Sequence, residues 1–128
     1  MFVLIAICRL ANGQNLIGMH NSEIRKYMKE NRKDMNFTRV RNTSYSYLKY
    51  TDYAETKTTF FFLAPDSVCT GVREVIATGL RSAKISELNA NYRRVDDTSW
   101  TDSRGGRKYL IRLKDEEWSC TVSYEVEN

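Results

Sequence analysis

The residue types that most often carry catalysis are few and scattered in this sequence. His20 is the only histidine, and no cysteine or carboxylate stands near it at the spacing of a metal site or an acid–base pair. The acidic runs at residues 96–97 and 115–117 lack the ligand spacing of a calcium loop. No nucleophile elbow, phosphate loop or zinc pattern occurs. We therefore predict no catalytic residue, no metal site and no cofactor, and a chain that is not an enzyme.

Two of the three cysteines, Cys69 and Cys120, occupy equivalent places in the two halves of the sequence. In an exported protein this symmetry suggests a disulfide. Symmetry-related positions need not be neighbours, however, and a disulfide needs Cα atoms within about 7 Å of each other. Without a gap in the alignment, Cys120 matches Thr70, and Cys69 would face away from Val68 and Val72. We therefore expect free, mostly buried thiols rather than a disulfide between Cys69 and Cys120.

An aromatic and basic stretch is the best candidate for a binding surface. Tyr45 and Tyr47 are followed by Lys49 and preceded by Arg39 and Arg41. Aromatic rings on an open sheet with basic neighbours can stack on bases or sugars. Tyrosines are also ordinary sheet residues with good cross-strand pairing. The orientation decides between the two interpretations, since Tyr45 and Tyr47 form a site if they are exposed and belong to the core if they are buried.

Two segments of the chain, residues 37–45 and residues 92–100, echo each other. An amphipathic helical pattern precedes each segment, and strand patterns follow it. Internal repeats of this kind indicate tandem structural units. We therefore predict an α+β fold, a tandem repeat of helix plus antiparallel strands, with the helices packed on one face of a shared antiparallel sheet. The recurring residues are Arg39, Val40, Thr43 and Ser44, which return as Arg94, Val95, Thr98 and Ser99.

Periodicity places the elements of the predicted units. The first helix is expected at about residues 21–33, with Asn21 or Ser22 as its N-cap, and the second at about residues 80–91. Residues 58–64 are mostly apolar and unbroken, which predicts a central strand covered on both faces or nearly so. The predicted inward residues are Ile24, Tyr27, Met28, Phe60, Phe62, Val72, Ile85, Leu88, Leu110, Val122 and Tyr124.

The chain length of 128 residues is typical of one domain, which we expect at residues 14–128 with repeats at about 14–77 and 78–128. Residues 1–13 form an apolar run followed by small residues, which predicts a truncated signal segment cleaved after Ala11-Asn12-Gly13. The run is short and lacks a preceding Lys or Arg, which a start upstream of Met1 would explain. We expect an exported protein, periplasmic or extracellular. The alternative is a cytoplasmic protein in which this segment is part of the fold.

Positive charge is concentrated in residues 1–50, within a formal net charge of +4 for the chain. A basic half can bind a polyanion, but a solvated helix face is the simpler explanation of the charge, so we do not expect nucleic acid as a partner. The apolar run at the N-terminus is too short to cross a bilayer, which takes about 20 residues, and we predict no transmembrane helix. The expected partner is another protein or a component of the cell envelope.

Four short segments carry a family resemblance: Asn15-Leu16-Ile17-Gly18, Ser22-Glu23-Ile24-Arg25, Tyr47-Leu48-Lys49-Tyr50 and Val68-Cys69-Thr70. Through them the sequence resembles small exported Bacteroidetes proteins of unknown function over most of residues 14–128. More distantly, the opening Gly18, Met19, Glu23 and Ile24 is similar to repeats of β-lactamase-inhibitor-protein-like and outer-membrane-assembly lipoprotein folds. Those folds imply binding to another protein rather than catalysis.

Two functions compete on these grounds. The first is a non-catalytic exported module that binds another macromolecule or an envelope component through the uncovered face of its sheet or through loops. The second is a small-ligand or polyanion-binding domain that uses the tyrosine and basic residues around Tyr45 and Tyr47. An enzyme ranks third, because His20 and the scattered carboxylates form no constellation.

Overall fold

The computed structural model describes residues 16–40 and 46–127, and in this part the chain forms one eight-stranded antiparallel sheet with two short helices. The helices are α1 (Asn21–Asn31) and α2 (Arg81–Asn91), and a 3-10 turn (Thr78–Leu80) precedes α2. The strands are β1 (Met35–Val40), β2 (Ser46–Asp52), β3 (Lys57–Leu63), β4 (Cys69–Ala77), β5 (Arg93–Asp96), β6 (Ser99–Arg104), β7 (Arg107–Asp115) and β8 (Ser119–Val126). Across the sheet they follow the order β1-β2-β3-β4-β8-β7-β6-β5.

The predicted α+β tandem repeat, with helices packed on one face of the sheet, is wrong. In the described residues the molecule is mostly antiparallel sheet, and each of the two helices has only 11 residues. The helical periodicity covers only the two short helices, whereas the period-two alternation of strands extends through both longer stretches that follow them. Pairing of β4 with β8, from Gly71 opposite Glu125 to Ala77 opposite Ser119, makes the strands one continuous sheet. The fold is therefore classed by this sheet, as a mostly β structure.

Alternation along the strands gives the sheet two different faces. On what we call the closed face, Val72 of β4 lies between Phe61 of β3 and Tyr124 of β8, and all three side chains are buried. Ile24 of α1 and Leu88 of α2 belong to the same buried cluster. The opposite side, which we call the open face, carries partly exposed side chains. The hydrophobic core therefore lies on one side of the sheet only.

The predicted inward residues divide between these faces. Phe60, Phe62 and Leu110 were wrongly predicted, because they lie on the open face and are only partly buried. Three successive phenylalanines at 60–62 do not reveal the phase of the alternation, which the pairing of Phe61 with Val72 determines. Because the side chains of β3 alternate between the two faces, they are buried on the closed face only. The prediction of a strand covered on both faces is therefore corrected. Ile24, Met28, Val72, Leu88, Val122 and Tyr124 are confirmed as buried, and Tyr27 and Ile85 pack partly buried against the core.

The N-cap of helix α1 lies one residue before Asn21, the first of its two predicted caps. The cap is His20, whose ring Nδ1 accepts a hydrogen bond of 3.2 Å from the Ser22 backbone N–H. In return the His20 backbone N–H donates to the Glu23 carboxylate at 3.1 Å, which completes a capping box. His20 also forms an isolated bridge with Val68, so the start of α1 is tied to the segment before β4.

The predicted signal segment, residues 1–13, lies outside the described residues, as do residues 41–45 between β1 and β2. Within the described ranges, no helix has the length and apolar character needed to cross a membrane.

Candidate functional site

The structure places two of the five predicted surface residues. Tyr47 and Lys49 flank the buried Leu48 along β2, so both lie on the open face. Arg39 lies in β1 opposite Leu48, and its side chain is outside the described part of the molecule. Tyr45 and Arg41 fall in the segment 41–45, which is not described. The structure therefore brings Tyr47 and Lys49 together on the open face and does not extend to the other three.

Three aromatic rings form a cluster in the middle of the open face. Tyr47 of β2 lies opposite Phe62 of β3, with ring centroids 6.1 Å apart, and its ring is 5.5 Å from that of Phe60. Phe60 and Phe62 stack at 6.3 Å with their planes 14° apart. These separations fall in the range of about 4.5–7 Å at which aromatic pairs attract each other. The rings are therefore held in place by one another although they are partly exposed.

Two cations lie over these rings. Nζ of Lys49 is 5.9 Å from the centroid of Phe60, and Cζ of Arg73 in β4 is 5.2 Å from the centroid of Phe62. Both distances are those of cation–π contacts, which hold within about 6 Å. We call Tyr47, Lys49, Phe60, Phe62 and Arg73 the aromatic patch. It combines rigid apolar surface with two positive charges that remain partly accessible to a ligand.

The aromatic patch encloses a shallow cavity of about 350 Å³, lined by Tyr47, Phe60, Phe62 and Arg73. This volume lies at the small end of ligand-binding clefts, which begin at about 300 Å³. The sequence prediction missed Phe60, Phe62 and Arg73 as members of the surface. Period-two alternation places Phe60 and Phe62 on a common face, but the sequence does not show that this face is the exposed one.

On the closed face, a buried carboxylate forms the centre of an ionic cluster. Glu74 of β4 is 5% exposed, and its oxygens lie 2.9 Å from Nζ of Lys57 and 2.9 Å from Nζ of Lys84. The Tyr124 hydroxyl also donates a hydrogen bond to Glu74, and Lys84 has a second partner in Glu87 at 2.7 Å. This cluster joins α2, β3, β4 and β8.

The electrostatic balance in this cluster favours its charged form. Burial alone would raise the pKa of Glu74, but the ammonium groups of Lys84 and Lys57 and the Tyr124 hydroxyl lower that pKa to about 2. Burial raises the pKa of Tyr124 well above its ordinary value, and the negative charge of Glu74 raises it further. The hydroxyl therefore stays protonated and donates. A carboxylate this far below neutrality is a poor proton acceptor. The cluster therefore supports the fold rather than acid–base chemistry.

Cys69 and Cys120 are free and buried. Cys120 lies opposite Ile76, which is seven residues along β4 from Cys69, so strand geometry puts the two cysteines about 23 Å apart. That separation rules out a disulfide between them within one chain. Burial raises the pKa of the Cys69 thiol to about 11, although a hydrogen bond with the backbone of Gly71 opposes the shift. The thiol form is a weak nucleophile at neutral pH.

In the ranges that the structure describes, no group of three or more His, Cys, Asp or Glu side chains could hold a metal ion. The ring of His20 is engaged with Ser22 at the start of α1, with Nδ1 and Oγ 2.9 Å apart.

Comparison of the chain with protein-family models, with curated proteins and with solved structures finds no match. The resemblance to small exported Bacteroidetes proteins stays a prediction.

Proposed function

We propose that this chain is a non-catalytic, exported module that binds another protein through the aromatic patch. One observation carries the proposal: three partly exposed rings are clustered beneath two cations on the face of a sheet opposite the core. Support for a non-catalytic role comes from the positions of the reactive residue types. His20 caps a helix, and the Cys69 thiol is buried and protonated.

A protein partner fits the composition of the aromatic patch. Tyr and Arg are among the residues that contribute most to protein–protein binding, particularly where a partner can exclude water from them. The paired strands and mutual ring contacts hold Tyr47 and Phe62 in place before binding. Less conformational entropy is then lost when the interface forms.

Site-specific photo-cross-linking tests this function. A photoreactive phenylalanine in place of Tyr47 is expected to cross-link one protein in an envelope extract of the native host. The same group in place of Tyr53, which is 68% exposed, serves as the control and is expected to give no such product. Binding of that partner to the Tyr47→Ala/Arg73→Ala variant should weaken about tenfold or more, while Tyr53→Ala/Arg93→Ala should bind normally. Equal cross-linking from both positions contradicts the proposal.

A second candidate function is binding of a small ligand or a polyanion on the same patch. The shallow cavity of about 350 Å³, with Arg73 at its lining, favours it. Two results together would replace the first function with this one. The chain would show salt-sensitive retention on a heparin column that the Tyr47→Ala/Arg73→Ala variant loses, and no protein would be cross-linked.

The proposal of export depends on residues 1–13 of the sequence. N-terminal sequencing of the chain from the same envelope extract is expected to begin at Gln14. A chain that still begins at Met1 would count against export.

A further inference from the structure

A second surface lies on the side of the closed face, between α1 and the edge strand β1. It is an open groove of about 1020 Å³. Met28 of α1, Met35 and Phe37 of β1 and Tyr50 of β2 contribute apolar surface to it. The rings of Phe37 and Tyr50 are 5.2 Å apart, and Phe37 is 37% exposed. The groove thus offers an apolar floor that solvent can reach.

The helix side of this groove is strongly basic. Arg25 stands over the floor, with Cζ 5.0 Å from the centroid of Phe37, and Lys29 follows one helical turn later. Asp34 neutralises Arg32 through paired contacts of 3.0 Å. The charged residues that line the groove are Arg25, Lys26, Lys29, Arg32 and Lys33, against the single acid Glu30. The groove therefore carries a large excess of positive charge.

The floor of the groove ends at β1, an edge strand of the sheet in the part of the chain that the structure describes. Among the described strands, β1 pairs with β2 alone. An edge strand presents a row of free backbone N–H and C=O groups, and an extended peptide can pair with them as an additional strand.

We propose that the groove between α1 and β1 binds an extended acidic peptide segment of a partner protein, which adds to β1 as a further strand. Alternate side chains of such a strand point towards α1. Glutamates at these positions would lay their methylene groups on Phe37 and bring their carboxylates to Arg25 and Lys29. The backbone edge favours a peptide over an anionic lipid, because a lipid leaves the edge groups of β1 unpaired.

This site is independent of the proposed function. It lies on the other side of the sheet from the aromatic patch and selects its partner by negative charge. Loss of one activity with retention of the other therefore separates the two proposals.

A fluorescein-labelled decapeptide of alternating Glu and Val is the probe, and fluorescence anisotropy with the full chain is the measurement. We expect saturable, salt-sensitive binding, and no binding of the matched Lys-Val peptide. Arg25→Glu/Lys29→Glu should weaken binding about tenfold or more. The matched control Arg93→Glu/Lys114→Glu reverses two exposed charges outside the groove, and Tyr47→Ala/Arg73→Ala alters the aromatic patch. Both should bind the probe normally, and circular dichroism checks that all variants fold.

Backbone methylation tests the strand addition itself. Two versions of the Glu-Val peptide are N-methylated, one at every Glu and the other at every Val. Since one set of N–H groups faces β1 and the other faces solvent, only one version should lose binding. Equal binding of both versions, or an unchanged affinity in Arg25→Glu/Lys29→Glu, overturns the proposal. The proposal is also overturned if the chain binds phosphatidylglycerol vesicles in a charge-dependent way and does not bind the peptide. That result points to a lipid surface instead.

Discussion

At the scale of single residues, Glu74 is a charged side chain at a strand position that belongs to the buried face. It occupies an inward phase of β4 between Val72 and Ile76, where alternation predicts an apolar side chain. A carboxylate at an inward position was the sequence signal for a buried ionic cluster. The identity of its partners was not predictable, because Lys57 and Lys84 come from a different strand and from a helix.

Replacing Glu74 tests this cluster through pH. The pKa of Glu74 is about 2 in the folded state, below its ordinary value of 4.5, so its stabilising contribution is complete above about pH 4.5 and is lost as the pH falls towards 2. At pH 7 we expect Glu74→Gln to lower the free energy of unfolding by about 3 kcal/mol, because two ammonium groups lose their buried partner. Urea unfolding from pH 7 to pH 2 measures the difference.

The difference between Glu74→Gln and the unmodified chain should shrink across that acidic window. Glu117→Gln, at an exposed carboxylate, is the control and should change stability by less than about 0.5 kcal/mol. A difference that stays constant with pH would show that folding does not lower the pKa of Glu74.

At the scale of elements, the sequence predicted helix positions well and strand partners poorly. The predicted helices at about 21–33 and 80–91 correspond to Asn21–Asn31 and Arg81–Asn91, since a helix depends on local contacts. The pairing of β4 with β8 joins residues about fifty positions apart, and no local pattern specifies it. Of the aromatic patch, only the β2 residues Tyr47 and Lys49 were therefore predicted, whereas the places of Phe60, Phe62 and Arg73 depended on strand pairing.

The start of α1 offers a direct comparison of the predicted and observed caps. His20→Ala removes the ring that accepts the Ser22 N–H and should destabilise the chain by about 1 kcal/mol, while His20→Asn should restore most of the loss. Asn21→Ala, at a predicted cap, should have little effect. Thermal unfolding of the three variants measures these changes, and a larger loss in Asn21→Ala than in His20→Ala would refute the observed cap.

At the scale of the whole molecule, the central pair β4 and β8 makes the two halves of the chain depend on each other. Val122 of β8 is fully buried, lies opposite Glu74 of β4 on one side and pairs with Leu113 of β7 on the other. A sheet joined through such residues is expected to unfold as one unit. Its edges, β1 and β5, are paired on one side only within the described strands, so their amides should exchange fastest.

Hydrogen exchange in Val122→Ala tests this cooperativity. The truncation leaves a cavity and should lower the free energy of global unfolding by about 2 kcal/mol. If the sheet unfolds as one unit, the slowest amides of β3 and of β7 should lose the same amount of protection, although β3 belongs to the other half of the chain. Val95→Ala, at a side chain that is 61% exposed, is the matched control and should leave both strands unchanged. Loss of protection in β7 with none in β3 would mean that the halves unfold separately in spite of their continuous sheet.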